Sequence, residues 1–279
     1  MKRIIKAIKD ELGSCYPIGE TTALIRIIST EILDIPRSTF ILKEDVILTP
    51  EQETLLYSTI ERLKKHEPIQ YIQGFCDFCG LTFKVTQETL IPRPETSELV
   101  EWITEEQKEK EVKILDIGTG SGCIAISLSC KLPGCNIAAW DISPGALAVA
   151  EENNRNNGTE VIFSQVDILA YQPQDEMFGI IVSNPPYIKE KEKKSMEANV
   201  LDWEPHTALF VPDNDPLLFY RTIAKKALVM LTSGGALYFE INRAHGAETV
   251  EMLKSLGYIE TELRKDLAGN DRMIKATRP

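Results

Sequence analysis

Asp116-Ile117-Gly118-Thr119-Gly120-Ser121-Gly122 sets three glycines at alternate positions behind a short apolar run. Glycines at a strand-to-helix junction let the backbone turn tightly and come close to a ligand. A second acid, Asp141, ends the next apolar run about 20 residues on, where a carboxylate can hold the two hydroxyls of a ribose. Together these residues suit an adenosine-containing cofactor. A dinucleotide fingerprint needs its last glycine at 123, where this chain has Cys123, and a dehydrogenase is disfavoured.

Glycines at 118, 120 and 122, with an acid two residues ahead of the first, resemble the S-adenosylmethionine loop, which has no pyrophosphate to neutralise. Asn184-Pro185-Pro186-Tyr187 follows a second apolar run, Phe178 to Ser183, at the sheet end where open α/β folds bind ligands. Its residue types suit methylation of an amide or amino nitrogen. A planar –NH2 group is a poor nucleophile, because its lone pair is delocalised. The Asn184 side-chain oxygen can accept one of its hydrogens and the Pro185 carbonyl the other. The prolines stiffen the backbone and remove competing N–H donors. Tyr187 offers a flat wall. Such catalysis is mainly positioning and electrostatics, with no strong base required.

These residues need a scaffold of alternating strands and helices. Val112–Ile117, Asn136–Trp140, Val161–Phe163, Phe178–Ser183 and Ala236–Ile241 read as strands, with two more around Gly269. Ser121–Leu132, Pro144–Asn157, Pro216–Leu231 and Ala247–Leu256 read as helices between them. The alternation predicts a doubly wound, mostly parallel sheet. Ahead of it, Ile4, Ile5, Ile8 and Leu12 share one helical face, as do Leu24, Ile27, Ile28 and Ile32. Thr49-Pro50-Glu51-Gln52 has the form of a helix start, and that helix runs to about Lys65. The segment Gly74 to Val85 predicts a β-hairpin, and Glu95–Gln107 a further helix. The expected organisation is a helical bundle for recognition over 1–73, a hairpin connector over 74–88 and the α/β domain over 89–279.

Composition narrows the function. The 279 residues suit one large domain or two modest ones at ~100–200 residues each. A net charge of −11 is poorly suited to wrapping nucleic acid by bulk charge. No apolar run approaches the ~20 residues that cross a bilayer. Met1 to Gly13 carries Asp10 and Glu11 and lacks the shape of a secretory signal. Six cysteines are too sparse for a disulfide scaffold, and a reducing, cytoplasmic setting is expected.

The chain resembles the release factor glutamine methyltransferases, the PrmC/HemK type, over nearly its whole length. The resemblance is carried by Pro68 to Gly74, Gly80 to Val85, Leu90-Ile91-Pro92-Arg93-Pro94-Glu95-Thr96 and the glycine loop. It continues through Asp141-Ile142-Ser143-Pro144, Ser183 to Ile188, Glu204-Pro205, and Asp266-Leu267-Ala268-Gly269 with Asp271-Arg272. Asn-Pro-Pro-Tyr is shared with amino-methylating enzymes of nucleic acid; the Ile-Pro-Arg-Pro-Glu-Thr run separates this family from them. The resemblance implies a seven-stranded class I methyltransferase sheet. It implies N5-methylation of the glutamine in the Gly-Gly-Gln loop of peptide chain release factors. S-adenosylmethionine would be the donor and S-adenosylhomocysteine the product. By the same resemblance, Gly118, Thr119, Gly120, Ser121 and Gly122 line the cofactor's methionine and ribose part, and Asp141 takes the ribose. Asp167 and Ile168 border the adenine. Asn184, Pro185, Pro186 and Tyr187 hold the glutamine, with Asn184 also beside the cofactor. Arg93 to Thr96 close over the site. The implied partner is a release factor, with no nucleic acid, membrane or metal. A ribosomal-protein glutamine and a flipped-out DNA adenine are the alternative targets, the second opposed by the charge.

Three positions depart from the family pattern, which has Gly at Asn242, Gln at His245 and a second acid at Ser97. Asn tolerates left-handed backbone better than most residues, so a bend at 242 is expected to survive. His245 is given no role. Cys76-Asp77-Phe78-Cys79 lacks the second ligand pair that zinc needs and a thioredoxin-like context, and reads as incidental. Lys189 to Lys194 reads as a solvated loop or as a lid that orders on docking of a protein substrate.

Overall fold

The computed structural model describes residues 1–107, 111–174 and 177–279. Its contacts divide the chain into two units, Met1–Gly74 with Glu197–Trp203, and Phe75–Met196 with Glu204–Pro279. The hairpin expected as a separate connector therefore lies within the second unit.

The first unit is helical. It holds α1 (Lys2–Leu12), α2 (Ile18–Ile27), α3 (Arg37–Leu42), α4 (Pro50–Lys64), α5 (Ile69–Gln73) and the single turn α9 (Ala198–Leu201). Ile4, Ile8 and Leu12 of α1 pack with Leu24, Ile25 and Ile28 and with Leu56, Ile60 and Leu63 of α4. The Thr49 capping box forms as expected: the Gln52 amide donates to Thr49 Oγ1 at 3.2 Å, and the Thr49 amide donates to Gln52 Oε1 at 3.1 Å. A π-turn, Ile28–Ile32, follows α2. Within α2 Leu24 and Ile25 are buried and Ile27 is half-buried; the wider turn then shifts the helical phase, so Leu33 enters the core while Ile32 stays half-buried. The Trp203 indole N–H donates to the Lys65 carbonyl at 3.0 Å and ties the later segment into this unit.

The second unit opens with the hairpin of β1 (Phe75–Phe78) and β2 (Leu81–Lys84). Cys79 and Gly80 both take positive φ, the backbone of a two-residue turn that matches strand twist. The main sheet has seven strands in the order β10-β11-β9-β6-β3-β4-β5. These are β3 (Lys113–Ile117), β4 (Asn136–Asp141), β5 (Ile162–Gln165), β6 (Phe178–Ser183), β9 (Leu231–Glu240), β10 (Ile259–Lys265) and β11 (Asp271–Thr277). The five strands from β9 to β5 are parallel; β11 runs antiparallel to them, and β10, antiparallel to β11, runs in their direction again, which is the class I methyltransferase arrangement. β7 (Ile188–Lys189) and β8 (Phe210–Val211) form a separate two-residue bridge.

Alternation along the strands feeds two cores. Ile114, Ile180, Val182 and Tyr238 face α6 (Pro94–Gln107), α7 (Cys123–Lys131) and the hairpin, where Phe78 meets Phe83 edge to face. Leu115, Ile181, Leu237 and Phe239 face α10 (Leu218–Met230) and are joined by Leu253 of α11 (Gly246–Ser255). The strand expected at Ala236 starts at Leu231, directly at the end of α10. α7 starts at Cys123, two residues later than expected, because Gly120 and Gly122 hold positive φ. α8 (Pro144–Asn156) carries the buried Asn153, whose side chain donates to the carbonyls of Lys84 and Ser121 and accepts from the Lys84 amide. That one side chain binds hairpin, helix and glycine loop together. Among the described residues no helix is long and apolar enough to cross a membrane.

Gly122 combines φ +81° with a tight fit. A Cβ there would stand 2.8 Å from Ile126 Cδ1 and 3.2 Å from Ala150 Cβ. Gly122→Ala is expected to destabilise the protein by ~2 kcal/mol, from backbone strain and overpacking. A lower urea midpoint checks this; an unchanged midpoint refutes the packing role.

Candidate active site

Strand register builds the site. Phe239, Ser183, Ile117 and Trp140 pair in a row across β9, β6, β3 and β4, and Ser164 of β5 continues it. The next residues along those strands are Glu240, Asn184, Gly118, Asp141 and Gln165. The chain winds from β3 outward to β5 and then returns to β6 on the other side of β3. Such a reversal opens a crevice at the carboxyl ends of the strands.

A cavity of about 370 Å³ occupies that crevice. Gly118, Thr119, Gly120 and Ser121 line it, with Asp141, Asp167, Ile168, Asn184, Pro185 and Pro186. Of the expected run Arg93 to Thr96, Arg93, just ahead of α6, and Thr96, in its first turn, are also on the wall, whereas Pro94 and Glu95 are not. Gly122 and Tyr187, also expected there, are not on the wall either. Gly122 is set back, where α7 passes α8. Tyr187 forms no flat wall: its ring packs against the α10 side of the core, and its hydroxyl donates to Glu240 Oε1 at 3.3 Å. Sequence reasoning passed over Leu90, Cys123, Ile142, Val166, Leu169, Thr207, Ala208, Phe210 and Phe219, which also line the cavity. Ile142 directly follows Asp141, and Val166 and Leu169 flank Asp167 and Ile168, so a wider window around those acids would have caught them.

The loop is tied down through Asp141. Its Oδ2 accepts from the Gly120 amide at 2.8 Å and its Oδ1 from the Ser143 amide at 2.9 Å. Gly118 and Thr119 donate their amides to the Trp140 carbonyl. Asp116 is fully buried beneath the loop. Its Oδ2 accepts from the Thr119 hydroxyl at 2.6 Å. Burial pushes its carboxyl up from 3.8 to about 7, the Thr119 bond only partly opposing this. The Arg93 guanidinium reaches both oxygens of Glu204 at 2.6 Å. Burial raises the Glu204 carboxyl, and Arg93 opposes the rise.

The departures from the family pattern acquire positions. Asn242 has φ −65°, so no left-handed bend is present. Its Nδ2 donates to the Tyr187 carbonyl at 3.2 Å, and its Oδ1 accepts from the Ala244 amide at 3.0 Å. His245 is buried between Lys189 and Glu248. The Lys189 ammonium can only donate, so Nε2 accepts and the Nδ1–H donates to Glu248. Ser97 donates to the Pro94 carbonyl within its own helical turn. The run after Lys189 is a 3-10 turn, Glu190–Ser195, with the Lys193 ammonium 4.3 Å from the centre of the Phe210 ring. Burial pushes the Cys76 thiol up to about 12 and raises that of Cys79, which holds both in the unreactive protonated form.

Comparisons with known proteins agree with this geometry. The Methyltransferase small domain family matches residues 95–202, and the PrmC N-terminal domain family matches residues 4–74. A crystal structure of a methyltransferase from Pyrococcus furiosus aligns with a TM-score of 0.52 at 17% identity, over 71% of this chain and 89% of that one, a likeness of fold. Sheet order and domain match define a class I methyltransferase. A release factor glutamine methyltransferase of Bacteroides thetaiotaomicron is 47% identical over 279 residues, the whole of both chains. One from Flavobacterium psychrophilum is 47% identical over 95% of this chain and 94% of its own. The chain belongs to the release factor glutamine methyltransferase family.

Asp116 makes stability depend on pH. The unfolded carboxyl ionises in the ordinary range, whereas the folded one keeps its proton to about 7. Its contribution is therefore complete below the ordinary value and declines as pH rises through that window. Asp116→Asn does not titrate. Relative to the parent it is expected to gain on the order of 2 kcal/mol between about pH 5 and about pH 8 in denaturant unfolding. A difference independent of pH would mean that Asp116 ionises as a solvated acid.

Proposed function

We propose that the chain is an S-adenosylmethionine-dependent methyltransferase acting on the side-chain amide nitrogen, N5, of the glutamine in the Gly-Gly-Gln loop of peptide chain release factors. One observation carries the reading: Asn184 and the glycine loop line one cavity at the point where the sheet reverses. The names of the full-length relatives support the substrate.

The residues present fit the cofactor. A Cβ on Gly118 or Gly120 would meet nothing within 4 Å, which leaves the loop backbone bare for close approach. The cavity is within the ~300–1,000 Å³ range of small-molecule sites. Each Asp141 oxygen keeps a lone pair beyond its amide bond, enough to take a ribose hydroxyl. Ile142, Ile168 and Leu169 supply apolar surface for a purine between Asp141 and Asp167. When bound, S-adenosylmethionine supplies a methyl group activated by its sulfonium charge.

This chain's own residues hold the acceptor. Asn184 Oδ1 takes one amide hydrogen and the Pro185 carbonyl the other, which orients the nitrogen and favours electron density on it. The Arg93–Glu204 pair fixes one cavity wall against the solvent side. The amide proton becomes acidic as the nitrogen gains its new bond, so water suffices to remove it. The first unit, matched by the PrmC N-terminal domain, serves recognition of the protein substrate. The activity is set in the cytoplasm, since six cysteines in 279 residues are too sparse for a disulfide scaffold and suit a reducing compartment.

Label transfer from S-adenosylmethionine to a purified release factor tests the reading, beside a release factor with Ala in place of that glutamine. Label is expected on the first and not on the second. Label on both, or only on ribosomal protein or DNA offered in parallel, would replace the substrate. Asn184→Ala is expected to lower turnover by roughly 10²-fold or more and to leave cofactor affinity near the parent's. Parental turnover in that variant would remove the amide-holding role.

A further inference from the structure

Glu240 stands beside Asn184 in the row that follows the paired strand ends. It is 1% exposed, and no cavity-lining role falls to it. Both of its oxygens are engaged by residues at the site. Oε2 accepts from the Thr96 hydroxyl at 2.5 Å, and Oε1 accepts from the Tyr187 hydroxyl at 3.3 Å. Thr96 itself is buried in the first turn of α6, with its Oγ1 3.4 Å from Asn184 Nδ2.

The hydrogen count gives this chain a direction. A threonine hydroxyl has one hydrogen and two lone pairs. A bond to a carboxylate is short and charge-assisted, so Thr96 spends its hydrogen on Glu240. Toward Asn184 it can then only accept. Asn184 must turn its –NH2 to Thr96, and its Oδ1 is left without a hydrogen bond among the described residues. That oxygen is the atom an incoming –NH2 group needs. The opposite amide orientation would set the Asn184 nitrogen against the substrate nitrogen, two donors facing each other. Through Tyr187, the same carboxylate grips the far end of the Asn-Pro-Pro-Tyr turn.

We infer that Thr96 and Glu240 are positioning residues: by way of the Thr96 hydroxyl, Glu240 decides which end of the Asn184 amide meets the substrate. The inference rests on the reading of Asn184 as the amide-holding residue. It explains why a buried acid is kept beside the crevice. Desolvation raises the Glu240 carboxyl, and the Thr96 bond and the Arg272 charge oppose that rise.

The test uses the full-length protein and a purified release factor. Thr96→Val keeps the shape and removes the hydroxyl; Thr96→Ser keeps the hydroxyl. Thr96→Val is expected to lower kcat roughly tenfold or more, with KM for the release factor and cofactor affinity close to the parent's. Thr96→Ser recovers most of the loss. In an Asn184→Ala background Thr96→Val has no further effect, because the group it orients is gone. Glu240→Gln gives a second route. Its amide can donate to Thr96 and turn the hydroxyl's hydrogen toward Asn184, and kcat is expected to fall again.

Proton–nitrogen correlation spectra supply a readout without turnover. The side-chain amide signal that disappears in Asn184→Ala is expected to be retained in Thr96→Ser and displaced in Thr96→Val. A slow Asn184→Ala beside a Thr96→Val at parental kcat overturns this inference alone. So does an undisplaced amide signal in Thr96→Val, or effects of the two substitutions that multiply. Parental turnover in Asn184→Ala overturns the amide-holding reading and this inference with it.

Discussion

The register of five parallel strands is the constraint on which the site depends. Parallel strands run ~4.8 Å apart and end side by side only if their pairing is in step. Here Phe239, Ser183, Ile117, Trp140 and Ser164 are in step, and the following residues form one line of chemistry. A slip of one residue in β6 would exchange Asn184 with its neighbour and turn every side chain of that strand to the other face. The buried alternation of Ile180, Ile181 and Val182 into the two cores blocks that slip. The cores thus set the placement of Asn184, although none of their side chains does chemistry.

Acids gather around the crevice, and each is held differently. Glu204 is held by a guanidinium on both oxygens. Glu240 is held by two hydroxyls. Asp116 is held by the Thr119 hydroxyl, and burial pushes its carboxyl up to about 7. Asp141, half-exposed at the strand end, is spent on backbone amides and so shapes the loop it faces. A carboxylate with two backbone donors keeps lone pairs for a ligand, whereas a desolvated one serves packing and orientation.

Local features were legible in the sequence because their determinants lie within a few residues. The glycine loop, the Asn-Pro-Pro-Tyr turn, the Thr49 cap and the strand alternation all fall in that class. The contacts that arm the site were not. Thr96 meets Asn184 across 88 residues and Glu240 across 144. No periodicity in the chain encodes such pairings. Tyr187 misled for a related reason: the type suits a flat wall, yet a buried carboxylate at the end of the neighbouring strand draws its hydroxyl inward. The π-turn after α2 was hidden because Ile27, Ile28 and Ile32 keep helical spacing in the sequence, whatever phase the backbone takes.

Asn242 shows how a departure from a family pattern is absorbed without strain. A glycine there would suit a left-handed bend, but the φ of −65° asks for none. The asparagine side chain instead makes two bonds that glycine cannot, to the Tyr187 carbonyl and from the Ala244 amide. Each net bond of this kind contributes about 1 kcal/mol, and glycine would also loosen the chain by its greater freedom in the unfolded state. The Tyr187 carbonyl belongs to the turn that Glu240 already grips by the hydroxyl. Asn242 therefore adds a second tether to the same residue, from the strand end that follows Glu240, and stiffens the turn that presents Asn184.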